Sequence, residues 1–330
     1  RLNMKKHFAF TMAEILLSLT IIGVVAAITL PSLTGNINER TWNTQRKALY
    51  ARISQAVSLM PSLNGYGTLT AEQTDSDGNI TQSAIDTAAE TFVTNGLAKV
   101  MKINNICDSD HLLDCGIVTS YTNLAGTTQT WATKLSELNN LFTEKYIDSS
   151  NNSSYGNPQT DIDTKAVGFE TPNGESVTVY YNPHCMGDTE GNTWHYSQPK
   201  MCANFIYDLN GNKGPNTVGK DIGFITALYP TDPTVVAPMP LTSDAGKSSQ
   251  TAAGELCKTQ NPESRLPNRD ELTAMFYNRN LIGGLVAECY WSSSVISFGS
   301  SGTAWNQYFL HGARGGRLKT GVENVRCVKR

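Results

Sequence analysis

Seven cysteines punctuate the chain, Cys107, Cys115, Cys185, Cys202, Cys257, Cys289 and Cys327. None falls in a C-x-x-C pair, which sets aside the zinc ribbon and the thioredoxin-type redox motif. Thiols placed singly in loop-rich sequence read as disulfide partners in an oxidising compartment, and the odd count leaves one over. Cys107 and Cys115 bracket a seven-residue loop and make a natural short-range pair. His184, Cys185, His195 and Cys202 raise the question of zinc, but their H-C-x9-H-x6-C spacing matches no common finger. A Cys185–Cys202 disulfide stapling a polar loop is the expectation.

Oxygen ligands form a second group. Asp208, Asn210 and Asn212 fit the opening of a calcium loop, D-x-N-x-N. The fit then breaks, because Lys213 stands where such a loop needs glycine and Gly219 where it needs an acid. Asp221 offers one further oxygen. The stretch is expected to be a hairpin turn, with no metal and no cofactor. Ser292 to Ser294 and His311 have residue types of a hydrolase, but neither a nucleophile elbow nor a spaced acid accompanies them. No catalytic residue is expected. The run 311–319, "HGARGGRLK", carries Arg314, Arg317 and Lys319 among glycines. It has the charge to meet an acidic glycan or DNA, and is expected to be a solvated flexible loop.

A lone carboxylate, Glu14, opens the most apolar part of the chain. From Ile15 to Asn38 there are 24 residues without a formal charge, and Ile15 to Leu30 is the greasy part. About 20 apolar residues cross a bilayer, so a spanning helix is expected if Phe8 to Met12 contribute. Met4 is taken as the start. Lys5 and Lys6 then place the N-terminus in the cytoplasm and the bulk of the chain outside. A buried carboxylate in lipid costs about 2.5–3.5 kcal/mol on insertion scales, less near the interface where it snorkels. Beyond Pro31, Trp42, Leu49, Ile53, Ala56, Val57 and Met60 recur at helical spacing, and Pro61 is expected to end the helix.

The rest reads as an α+β chain whose 330 residues suit about two domains. Residues 64–83 are a polar loop. Residues 84–103 read as a helix interrupted near Asn95-Gly96, and 130–146 as another. Residues 165–182 alternate around Pro172-Asn173-Gly174 as a hairpin, and 202–230 supply two more strands. Residues 231–250 are Pro- and Ser-rich and read as a linker. After them come two helices, the second capped by Asn268 or Asp270, and the short strands "CYWSSSV", "AWNQYFL" and "ENVRCVKR". A net charge of −3 argues against a nucleic-acid partner overall. The average hides a split: residues 251–330 hold 10 Lys and Arg against 6 Asp and Glu, and the remainder 16 against 23.

The stretch "KKHFAFTMAEILLSLTIIGVVAAITLPSL" resembles the N-terminus of type IV pilins and type II secretion pseudopilins. The resemblance implies a leader (1–9) cut between Ala9 and Phe10 by prepilin peptidase, and N-methylation of Phe10. Ala9 stands where the family usually carries glycine. Glu14 becomes the fifth mature residue, an assembly contact for the free amine of a neighbouring subunit, with Gly23 and Pro31 at the helix-loosening positions. It further implies a transmembrane and assembly helix over 10–60 and a pilin-like head over 61–230. The precursor would sit in the inner membrane as a single-pass protein, and the mature subunit in an extracellular filament or the periplasm. Its partners would be other pilin subunits.

Residues 251–330 resemble bacterial C-type-lectin-like domains of the FISUMP and Lcl C-terminal kind, distant relatives of the formylglycine-generating enzyme fold. The match rests on Cys257, the run Arg265, Leu266, Pro267, Asp270, Glu271 and Leu272, the "YWSSS" run from Tyr290, Trp305, and the closing "VRCVKR". It implies a Cys257–Cys327 disulfide, a spare thiol at Cys289, and an extracellular ligand such as a glycan. Together the two resemblances imply a filament subunit displaying a lectin-like adhesion module. A secretion-system pseudopilin, and a membrane-tethered enzyme with a catalytic C-terminal domain, are the alternatives.

Overall fold

The computed structural model describes residues 12–64, 82–138, 146–148, 153–155, 164–182, 200–229, 234–236, 239–296 and 302–329. Two compact units emerge, Arg1–Lys47 and Ala48–Arg330. Helix α1 (Met12–Asn64) begins in the first and ends in the second.

In the first unit α1 is helical through Gly23 and Pro31. Its hydroxyls are turned onto its own backbone: Ser18 Oγ donates to the Glu14 carbonyl at 2.8 Å, and Thr20 Oγ1 to the Leu16 and Leu17 carbonyls at 3.0 and 2.8 Å. Such back-bonding hides polar groups inside an apolar stretch. The expectation of a membrane half is nevertheless overturned. Among the described residues no helix is long and apolar enough to cross a membrane, and residues 12–25 are exposed. The greasy part, Ile15 to Leu30, is shorter than the ~20 residues a bilayer needs, and Ser18, Thr20, Gly23 and Thr29 dilute it. The fold expected of a pilin, and the single-pass precursor that went with it, are corrected accordingly.

In the second unit α1 buries Leu49, Ile53, Ala56, Val57 and Met60, the stripe that helical spacing anticipates. Arg52 on the same helix reaches the buried Glu175 at 2.5 Å. The helix passes Pro61 by one turn, because a missing N–H there frees only one carbonyl near the terminus. Helix α2 (Gln82–Thr91) continues as a π-helical turn, Phe92–Leu97, and Ala98–Val100. The break anticipated at Asn95-Gly96 is thus a widened turn, which buries Phe92, Val93, Gly96 and Leu97.

The strands of this unit are β1 (Asn105–Cys107), β2 (Ser120–Thr122), β3 (Thr128–Thr130), β4 (Tyr146–Asp148), β5 (Ser153–Tyr155), β6 (Val167–Glu170), β7 (Ser176–Tyr181), β8 (Lys200–Asp208), β9 (Ile222–Tyr229) and β10 (Thr234–Val236), then β11 (Met239–Ser249), β12 (Ser264–Arg265), β13 (Cys289–Val295), β14 (Thr303–Tyr308), β15 (Arg314–Leu318) and β16 (Val322–Lys329). The first sheet runs β1-β6-β7-β8-β9-β10, antiparallel throughout. The second runs β11-β16-β13-β14-β15, with β12 also on β16. Helices α3 (Gln250–Gln260) and α4 (Arg269–Tyr277) accompany it.

The first sheet is covered on both faces, and all six residues of β7 are buried. Alternation along β7 puts Tyr181 and Tyr180 on opposite sides. Tyr181 stacks on Phe92 of the π turn, ring centroids 4.4 Å apart. Tyr180 donates its hydroxyl to the Ala132 carbonyl at 2.7 Å, and its neighbour on that face, Thr178, accepts from the Trp131 indole at 2.9 Å. Those contacts explain why 130–134, the start of the expected helix 130–146, are not helical; residues 139–145 lie outside the described residues. The backbone of Thr133 and Leu135 bonds instead to Ala166 and Thr164; among the described residues the segment is helical over Leu135–Leu138, and Tyr146 opens β4.

Two expectations about the C-terminal region are corrected. The stretch taken as a linker, 231–250, contains β11, an edge strand paired with β16. Pro240 is tolerated on an edge, and register shifts accommodate Asp244 and Gly246. Nor is the region a separate module. Leu272, Met275, Phe276, Tyr290 and Phe309 share one core with Tyr180, Ile206 and Phe224 of the first sheet. Between them lies a buried polar triad: Asn204 and Asn278 exchange side-chain hydrogen bonds at 2.7 and 3.1 Å, and Asn278 also donates to Thr226 at 3.0 Å.

Candidate functional site

The residues singled out by sequence fall in three places. The first is the start of α1. Met12, Ile15, Leu16, Leu17, Leu19, Ile21, Ile22, Val24 and Val25 are between 47% and 79% exposed. They lie all round the helix rather than along one stripe. Glu14 sits in the first turn, where a carboxylate is favoured by the N-terminal end of the helix dipole. Gly23 has open space beside it, so a side chain there would meet nothing within 4 Å. Ala9 and Phe10 lie outside the described residues.

The second place is the turn between β8 and β9. Asp208, at the end of β8, and Asp221, just before β9, are both fully buried. Asp221 accepts the Asn216 and Thr217 N–H groups, each at 2.8 Å. Asp208 Oδ1 accepts the Asn210 N–H at 3.1 Å. Burial, and then the nearby Asp221, push the Asp208 carboxyl up to about 7 against backbone donors that hold it down. Asn210 belongs to the same turn, whereas Asn212 is exposed. Left-handed backbone at Gly211, Asn216 and Gly219 lets the chain reverse this tightly.

The third is the C-terminal sheet and its helices. Cys257 and Cys327 are joined, with Cα atoms 5.5 Å apart, as are Cys107 and Cys115 at 6.0 Å. Cys202 is also disulfide-bonded; Cys185, His184 and His195 lie outside the described residues. The "RLP..DEL" run is occupied with itself. Arg265 grips Glu271 through two bonds of 2.6 and 2.7 Å. Glu271 also accepts the Asn268 N–H, and Asn268 accepts from Asp270 and Glu271, closing a capping box. Asp270 pairs with Arg314 at 2.9 Å. Arg314 lies buried on β15, so the expected flexible loop at 311–319 is in part a strand. Burial draws the Arg314 guanidinium down to about 10, with Asp270 opposing.

The residues with hydrolase character are engaged elsewhere. Ser294 Oγ accepts the Arg269 N–H at 3.0 Å, Ser292 Oγ the Ser294 N–H at 2.9 Å, and His311 Nδ1 the Ala313 N–H at 3.2 Å. His311 is buried edge-on to Tyr308. Cys289 carries a free, half-buried thiol that burial pushes up to about 11. Sequence reasoning missed the Asn204–Asn278–Thr226 triad, for which a polar residue inside the otherwise apolar strands β8 and β9 was the available signal, and the contact in which Arg314 Nε donates to Thr273 Oγ1 of α4 at 2.8 Å.

No protein-family model matches the chain, and comparison with curated proteins finds no match.

Proposed function

We propose that the chain is a subunit of a pilin-like filament, assembling through the start of α1 and displaying its C-terminal sheet as a lectin-like binding surface. The observation that carries this reading is the apolar surface of residues 12–25. Contiguous exposed patches of this kind mark interaction sites, and a helix apolar on all sides needs several neighbours to cover it. Copies of the same helix, packed side by side, supply them. Glu14 then provides one charge per subunit for register, drawn to the amine of a neighbouring chain. The disulfides Cys107–Cys115 and Cys257–Cys327 support an oxidising location outside the cytoplasm. On the second sheet the half-buried Trp305, with Arg269 over its ring at 5.4 Å, offers the aromatic and polar groups a glycan contacts.

Glu14→Ala tests the assembly role. A charge-assisted contact is worth about 1.5–3 kcal/mol, so the variant should enter filaments at least about tenfold less than wild type, at equal expression, by immunogold imaging. Incorporation at the wild-type level would reject the reading.

A further inference from the structure

The second sheet has two edges, and they are finished differently. β11 carries devices that discourage a further strand: Pro240, two register shifts, and left-handed backbone at Gly246. The edges of the first sheet, β1 and β10, are only three residues long each. β15 has none of these protections. It pairs with β14 over Arg314–Leu318 without a shift, contains no proline, and has no strand beyond it among the described residues. Nor do its charges guard it. Arg314 is turned inward onto Asp270 and Thr273, and Arg317 onto Glu323.

The ladder fixes which backbone groups are left over. Tyr308 donates its N–H to the Ala313 carbonyl at 2.9 Å, and Lys319 donates its own to the Gly302 carbonyl at 2.7 Å. Antiparallel bonding alternates along a strand, so Gly315 and Arg317 turn their backbone groups to β14. The N–H and C=O of Gly316 and the N–H of Leu318 are therefore directed out of the sheet edge. The Leu318 carbonyl is taken by the Gly321 N–H at 2.8 Å. Gly316 is exposed and has no side chain to block an approaching backbone. Ile296 lies where a side chain on Gly316 would stand, on the side of the strand that also carries Leu318, which is 58% exposed.

We propose that the β15 edge takes up an extended acidic peptide of a partner protein as an added strand. Backbone bonds to Gly316 and Leu318 hold such a guest, and its alternate side chains select it. On one side they meet Ile296 and Leu318, on the other Arg317. Around the edge Arg269, Arg314, Arg317 and Lys319 stand against Asp270 and Glu323, a surplus of two positive charges. That surplus favours a guest bearing carboxylates. It also disfavours a second β15, which would bring Arg317 and Lys319 of two copies together. The contact needs neither the filament nor the glycan reading above, and its failure would leave both as they are.

The test is a fluorescence-anisotropy titration with the full-length chain in mild detergent. The probe is a labelled peptide of alternating valine and glutamate, about six residues long, the size of an average strand. Saturable binding is expected, at least about tenfold tighter than for the same peptide with lysine in place of glutamate. Lys319→Glu should weaken binding of the glutamate peptide by about threefold or more. Gly316→Pro removes an outward N–H while leaving the bonds to β14 in place. It should abolish binding, with thermal unfolding showing that the fold is kept. Should it fail to fold, Lys319→Glu and the lysine peptide decide alone. A Kd weaker than about 1 mM, equal affinity for the two peptides, wild-type affinity in Lys319→Glu, or wild-type binding by folded Gly316→Pro would overturn the proposal. So would an apparent affinity that falls as the chain is concentrated, because a second copy would then be filling the edge.

Discussion

At the scale of single residues, most groups with chemical character prove to be engaged in holding the fold. Cys289 is the clearest case. A reactive thiol needs a nearby cation or helix N-terminus to favour its thiolate. Here burial dominates, with Glu323 and Glu288 adding to it and Arg317 opposing. With the thiol pushed up to about 11, its alkylation by iodoacetamide at pH 8 should run about a hundredfold slower than that of an ordinary protein thiol near 9.0. The rate should climb about tenfold per pH unit toward pH 11. A rate at pH 8 matching an unstructured peptide thiol would contradict this environment. The sequence anticipates a spare thiol at this position, but not its setting: Glu323 and Arg317 come to Cys289 only through sheet pairing. Asp208 is similar. The spacing D-x-N-x-N is visible in the sequence, while the enclosure that leaves Asp208 Oδ2 without a partner is a property of the folded turn.

At the scale of elements, legibility follows how local the determinants are. The hairpin of β6 and β7 is readable because Pro172-Asn173-Gly174 encodes the turn, with Gly174 in the left-handed region at φ 83°. The start of α4 is readable because Asn268 and Glu271 form a capping box with both bonds made. Replacing Asn268 by Ala should cost about 1 kcal/mol by urea unfolding, and more if Glu271 loses its hold on Arg265. An unchanged midpoint would mean that the cap is redundant. By contrast, β11 and β15 are hard to read. Their sequences are polar or glycine-rich, and their pairing is set by β16 and β14, distant partners that no local period announces. The π turn at Phe92–Leu97 is equally non-local, since the stacking of Phe92 on Tyr181 rewards it. The segment 130–146 has helical periodicity, yet Trp131 and the backbone bonds of Thr133 and Leu135 hold its start to β7 and to residues 164–166.

At the scale of the whole molecule, the region expected to hang from a linker is built into the second unit. Its helix α4 closes one face of the first sheet, and the Asn204–Asn278–Thr226 triad fixes the register of that contact. The second sheet is thereby joined to the first through a shared core. In the first unit the start of α1 carries apolar side chains on every side, and among the described residues no helix is long and apolar enough to cross a membrane. Copies of the chain are proposed to cover this surface. A photo-crosslinking side chain placed at Ile22, which is 64% exposed, tests it in the cells that make the protein. A ladder of self-linked products is expected on illumination. Crosslinks only to lipid or to unrelated proteins, with no self-linked product, would contradict it.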